Sequence, residues 1–229
     1  MNYGSMIGDS FEYTKDGLFG NWGKWFLLFI SMVIFPLWGG YQWKIYRGES
    51  RMPPLEGWVG MFIDGIKLII VGIVYFIIPT IVFVILGGLG IFMGAATNSM
   101  GAGLIGVFVG LIFLFIFSLI AMMGLIRFAR TDSFGEAFNF SAIIAHIGEI
   151  GWVSYIIALI ILWLVIVVAV VIFSIAVGII SLILLLIPLV GWILAILLEI
   201  VIAILIGPFV GVFTTRYITH IYDGARAPA

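Results

Sequence analysis

The sequence predicts an all-α integral membrane helical bundle of about five spans, the first short enough to be re-entrant, with interfacial amphipathic helices beside them. Three observations predict it. Hydrophobic residues make up 64% of the 229-residue chain, where a soluble domain holds about 45–50%. Charged residues are only 9%, and surface-to-volume scaling does not let a water-soluble fold hide such an excess. The apolar residues also arrive in runs of about 20 or more, the length that crosses roughly 30 Å of hydrocarbon.

Residues 1–24 read as an interfacial segment. Phe11, Phe19, Trp22 and Trp25 supply aromatic anchors at headgroup level. The stretch MNYGSMIGDSFEYTKD lacks the basic n-region of a signal peptide. Residues 25–43 form the first membrane element, bounded by Lys24 and Lys44. Pro36 and Gly39–Gly40 interrupt it, so a tilted span and a re-entrant element both fit. Residues 68–93 form the second membrane helix, reached through Asp64 and Lys67. Residues 103–126 form the third, ending at Arg127 and Arg130. The uncharged connection 94–102 makes these two an antiparallel hairpin.

Residues 131–149 read as an interfacial helix. Ser133 and Glu136 have the spacing of a capping box, in which the Glu reaches back to the cap. Glu136, Asn139 and His146 then share one face. From Gly151 to Thr215 the only charge is Glu199. As one straight helix this stretch would reach about 98 Å, so it must turn, and Pro188 to Gly191 is the best break. Residues 151–187 exceed one bilayer thickness and read as a tilted or kinked helix bending near Ser174 to Ser181, with a re-entrant piece as the rival. Residues 191–215 form the last span.

Orientation follows from the loops. Segments 1–24, 94–102 and 188–190 hold two Lys, whereas 44–67, 127–150 and 216–229 hold eight Lys and Arg. The positive-inside rule makes the second set cytoplasmic, in a multi-pass protein of the plasma membrane.

Ten Lys and Arg against eleven Asp and Glu leave no basic block for nucleic acid. Zero cysteines exclude disulfides, thiolate metal sites and thiol nucleophiles. His146 and Glu149 lie three apart on one helix, but a metal would need further ligands from elsewhere. Asn139-Phe140-Ser141 matches a glycosylation acceptor, on the side expected to be cytoplasmic. No phosphate-binding loop, nucleophile elbow or zinc-protease helix is present, so the sequence points to no enzyme, no cofactor and no metal.

The connection after the first element is the most distinctive stretch. It reads Gly40-Tyr41, Arg47-Gly48-Glu49, Pro53-Pro54, Trp58, then Phe62-Ile-Asp-Gly-Ile-Lys67. This pattern resembles a prokaryotic, largely archaeal, family of polytopic membrane proteins known only as a domain of unknown function. Arg127-Phe128, Ala137-Phe138, Gly151-Trp152 and Ile187-Pro188 extend the resemblance over most of the chain. It implies a polytopic helical fold and no assigned activity. On its own chemistry, the stretch sets Tyr41, Trp43, Lys44, Arg47, Glu49, Arg51, Trp58, Asp64 and Lys67 at one membrane boundary. Two readings fit: an interfacial clamp of paired charges and aromatic anchors, or a docking site for lipid headgroups or a partner.

Glu199 is the sharpest single residue. It lies eight residues into the last span, about 12 Å along the axis, where an ionisable group is costly and a functional candidate by default. Gly191, Ala195, Glu199, Ala203, Gly207 and Gly211 recur every four residues, a ridge that permits close helix approach. The alternatives are a neutral packing carboxyl, a proton or cation site, and a subunit contact. Tyr75, Thr80, Ser118, Ser154 and Tyr155 are the hydroxyl partners in range of type. Gly90 and Gly94, with Gly106 and Gly110, form two GxxxG pairs in the hairpin, suited to packing neighbours or a second copy.

The leading expectation is a non-enzymatic accessory or scaffold subunit acting through helix packing in a homo- or hetero-oligomer. Its partners would be membrane lipids and a second copy or another membrane subunit. The alternative is a small channel or transporter using Glu199 as an intramembrane ion or proton site.

Overall fold

A computed structural model describes residues 1–226, apart from the side chains of Ala102 and Arg226; the last three residues of the C-terminal segment lie outside the described residues. The chain is all-helical there, with nine α-helices and no strand among the described residues. They are α1 Tyr3–Leu18, α2 Trp22–Val33, α3 Phe35–Tyr46, α4 Trp58–Ala96, α5 Met100–Thr131, α6 Phe134–Ala137, α7 Phe140–Ile150, α8 Trp152–Leu185 and α9 Gly191–Asp223. Helices α4, α5, α8 and α9 are each long and apolar enough to cross a membrane, which makes this a multi-pass membrane protein. Contacts divide the chain into two units, residues 1–65 with 147–229, and residues 66–146.

In the first unit, Asn2 caps α1 through its side chain, accepting from the Ser5 amide at 3.2 Å. Asn21 does the same for α2, accepting from the Lys24 amide at 3.1 Å. The 25–43 element is not one helix. The chain breaks at Ile34, and α2 and α3 meet at a bend of 119°. Pro36 explains the break, because it lacks an N–H to continue the α2 ladder and instead fits the first turn of α3. A bent pair of this kind is a broken span or a re-entrant loop.

Helix α3 buries Leu37, Trp38, Tyr41, Trp43, Ile45 and Tyr46. Trp38, Tyr41 and Ile45 share a core with Leu18 of α1, Leu28 of α2, Met61 of α4 and Val212 of α9. Helix α1 runs antiparallel along the C-terminal half of α9. Phe11 packs edge-on against Phe209, with ring centroids 5.5 Å apart, and Gly224 lies by Met1. Buried hydroxyls on these helices satisfy themselves on the preceding turn. Ser10 donates to Met6 O, Thr14 to Ser10 O, Thr215 to Gly211 O and Thr219 to Thr215 O, all at 2.7–2.8 Å.

Residues 152–185 form one continuous helix. Helix α9 continues past Thr215 to Asp223.

In the second unit, α4 and α5 form a close hairpin. A Cβ on Gly90 would lie 2.8 Å from Gly106 Cα, and one on Gly94 would lie 3.0 Å from the Gly103 nitrogen. Tyr75 anchors the other end: its hydroxyl donates to Ala137 O, and its ring packs against Phe117, Phe138 and Phe140. The expected capping box at Ser133 is not formed, since that side chain makes no cap hydrogen bond. Glu136 instead accepts from Arg127, with Nε at 2.7 Å, and this charge-assisted bond outcompetes a neutral backbone amide. The expected single helix over 131–149 is two helices, because Asn139 starts a new one by accepting from the Ala142 amide at 3.2 Å.

Candidate functional site

The distinctive stretch folds into one corner of the first unit. Helix α3 crosses the start of α4 through glycine. A Cβ on Gly40 would overlap the Met61 carbonyl, and one on Gly65 would overlap the Pro36 carbonyl. Such an approach brings two helix backbones into contact and tolerates no side chain between them. The segment joining α3 to α4 begins and ends at glycines with left-handed backbones, Gly48 at φ +84° and Gly57 at +70°.

Its carbonyls are held by side chains from elsewhere. The Tyr41 hydroxyl, fully buried, donates to Pro53 O at 3.0 Å. Lys44 donates to Glu56 O at 2.7 Å and to Pro54 O at 3.2 Å. Arg216 of α9 donates to Glu49 O at 2.9 Å, and its guanidinium lies 4.4 Å from the centroid of the Tyr13 ring. Burial pushes the Tyr13 phenol up from its ordinary value, with Arg216 opposing in part. A strap without helical hydrogen bonds is thus pinned through its carbonyls to α3 and α9.

The corner brings together Tyr41, Lys44 and Glu49, but it does not present them alike. Trp43 is buried, while Arg47, Glu49 and Arg51 are exposed at the rim, and Trp58 stands half-exposed at the start of α4. Asp64 is half-buried one turn further on. Lys67 belongs to the second unit and pairs with Asp132 at 3.2 Å.

The small-residue ridge of α9 divides by use. Gly191 abuts the Leu184 carbonyl, and a Cβ on Gly211 would lie 2.8 Å from the Trp38 ring. A Cβ on Gly207 would lie 3.6 Å from Met32 Sδ. These positions pack inside the unit. Between them, Glu199 and Ala203 are exposed and Ala195 is half-exposed. Three of the hydroxyls matched to Glu199 by type are engaged elsewhere: Tyr75 on Ala137 O, Thr80 on Phe76 O and Ser118 on Phe115 O. Gly110 in the hairpin faces the Phe83 ring, 2.8 Å from where its Cβ would be.

Sequence reasoning singled out neither Gly65 nor Gly39 and Gly40 as a packing pair. Their signal was present, since a Gly-Gly and a lone Gly flank the strap on its two sides, but linear spacing does not reveal a crossing between segments. Arg216 was likewise read as a loop charge, because the last helix was expected to stop one residue before it. Within the corner, Tyr41, Lys44 and Arg216 donate to backbone carbonyls of the strap. Among the described residues no cluster of three or more His, Asp or Glu could hold a metal ion.

No curated protein and no solved structure matches the chain. A family described as "Protein of unknown function (DUF4013)" matches residues 25–178, from α2 through most of α8, and so contains the whole corner but not α9. With two thirds of its length matched, the chain belongs to the DUF4013 family.

Proposed function

We propose that this protein is a non-catalytic accessory subunit that associates laterally with a second copy of itself through the face of α9 carrying Glu199. The observation that carries the reading is that Glu199, eight residues into a membrane-length helix, is exposed on the chain's surface. A carboxyl facing hydrocarbon is costly, and such groups gain by meeting a partner. The flanking Ala195 and Ala203 let a second helix approach closely.

A second copy fits best because the group is self-complementary. A protonated carboxyl both donates and accepts, so two of them meeting across a two-fold axis satisfy one another. The corner formed by α3 and the start of α4 serves in this reading as the rigid base that fixes α9, through Arg216 and Trp38.

Single-molecule photobleaching in lipid vesicles tests this. The native chain is expected to show two-step bleaching, Glu199→Gln to retain it because an amide also donates and accepts, and Glu199→Leu to shift dissociation by about tenfold. Monomers at every density would overturn the reading. So would ion flux in liposomes that Glu199→Gln abolishes, which would move the chain to the channel or transporter class.

A further inference from the structure

Between the middles of α8 and α9 lies a cavity of about 490 Å³, closed on its other sides by α1 and α2. That is within the range of about 300–1,000 Å³ typical of small-ligand sites. Its wall includes Phe11, Trp25, Ala169, Phe173, Ile206 and Phe213, and every residue lining it is apolar. The only polar side-chain atom in that wall, the indole Nε1 of Trp25, is spent on Leu205 O at 2.9 Å. Water needs two to four polar partners to occupy a cavity, and this one offers none. It is open to the outside, since Phe11 is 47% exposed and Phe173 50%.

A charge lies beside the lining. Ile7 and Phe11 of α1 line the cavity, as does Phe19 just past its end, and Lys15 stands four residues after Phe11 and four before Phe19. Residues four apart share a helix face, drifting by about 40° per step. Lys15 is exposed, and along the chain it falls between the lining residues Phe11 and Phe19 without itself lining the cavity.

The geometry points to a lipid-binding cleft: one hydrocarbon chain of a membrane lipid lies between α8 and α9, with its anionic headgroup at Lys15. The two halves of the site suit the two halves of such a molecule. A dry aromatic slot at membrane depth takes the chain, and an ammonium on the polar face of α1 takes a phosphate or carboxylate. Juxtamembrane lysines favour anionic lipid over neutral lipid by a few-fold each. Ile202 and Ile206 of its lining lie three and seven residues after Glu199 on α9, so the slot borders the face of the assembly proposal, but Glu199 is not part of the lining.

Native mass spectrometry of the full chain in detergent, titrated with phosphatidylglycerol or phosphatidylcholine, tests it. The expected result is one lipid per chain with phosphatidylglycerol preferred by about fivefold, a preference lost in Lys15→Gln. Ala169→Trp, which fills the slot, is expected to abolish retention, while Leu186→Trp on an exposed turn leaves it unchanged. If Ala169→Trp does not fold, phosphatidylglycerol carrying a diazirine on its acyl chain is cross-linked to the native chain and mapped. Labelling within 165–173 and 202–213 supports the cleft. Labelling elsewhere, unchanged retention in folded Ala169→Trp, or equal affinity for the two lipids overturns it.

Discussion

Gly40 of α3 and Gly65 of α4 lie backbone to backbone: a Cβ on Gly65 would come within 2.8 Å of the Gly40 nitrogen. The pair sits inside the family's matched region and joins Gly40-Tyr41 to Asp64-Gly65 of this chain. The crossing determines where the strap between the helices must run, and hence where Tyr41 and Lys44 find their carbonyls.

Alanine at either glycine is therefore expected to destabilise the corner. Overpacking typically costs about 1–3 kcal/mol, and here the obstacle is backbone, which cannot rotate aside, so the upper end applies. Gly40→Ala and Gly65→Ala should lower the thermal midpoint in detergent, while Gly60→Ala, which meets nothing within 4 Å, should not. Equal midpoints for all three would refute the crossing.

Lys67 and Asp132 give a smaller effect. Their ion pair is partly exposed, with side-chain exposures of 29% and 50%, and such pairs are worth about 0–1 kcal/mol. Asp132 also closes α5 in a left-handed conformation, φ +52°, which Asn tolerates and Ala does not. Asp132→Asn should thus cost under about 1 kcal/mol and Asp132→Ala more. A double-mutant cycle with Lys67→Gln isolates the charge contribution.

The pH response should be carried in part by Glu136. Hydrogen bonds from Arg127, then from Asn139, hold its carboxyl below the ordinary value of 4.5. A group with a depressed folded-state pKa contributes stability above its unfolded value and loses it as pH falls through the folded one. Acidification below about pH 4.5 should therefore loosen the α5–α6 contact. Glu136→Gln should flatten that acid limb in hydrogen exchange of the segment containing α6 and leave neutral behaviour of the other helices unchanged.

The spans were legible because bilayer thickness imposes a length that any apolar run declares; α4, α5 and α9 each contain the stretch expected of them, and α8 covers all but the ends of 151–187. What the sequence hid were choices between competing local partners. Pro36 announced a break, but not a turn of 119°. Ser133 and Glu136 had capping-box spacing, yet the Arg127 guanidinium, nine residues before Glu136, was the stronger donor to its carboxylate. Glu199 was legible as an anomaly of depth, and only the placement of its neighbours Gly191, Gly207 and Gly211 against other chain segments left it on the outside.

Trp25 separates packing from hydrogen bonding in the first unit. Its indole stacks on Trp22 with ring centroids 5.4 Å apart and donates to Leu205 O. Three residues on, Pro208 lacks the amide that would continue the α9 ladder, so the indole braces the helix beside its weakest turn. A buried hydrogen bond contributes about 0.5–1.5 kcal/mol net, whereas truncating a buried aromatic costs about 3–5 kcal/mol. Trp25→Phe should therefore lower stability slightly, because it removes the donor together with its need for a partner. Trp25→Ala should cost several times more and also open the wall of the cavity between α8 and α9. Equal losses for the two variants would mean that the bond to Leu205, not the ring, holds α2 against α9.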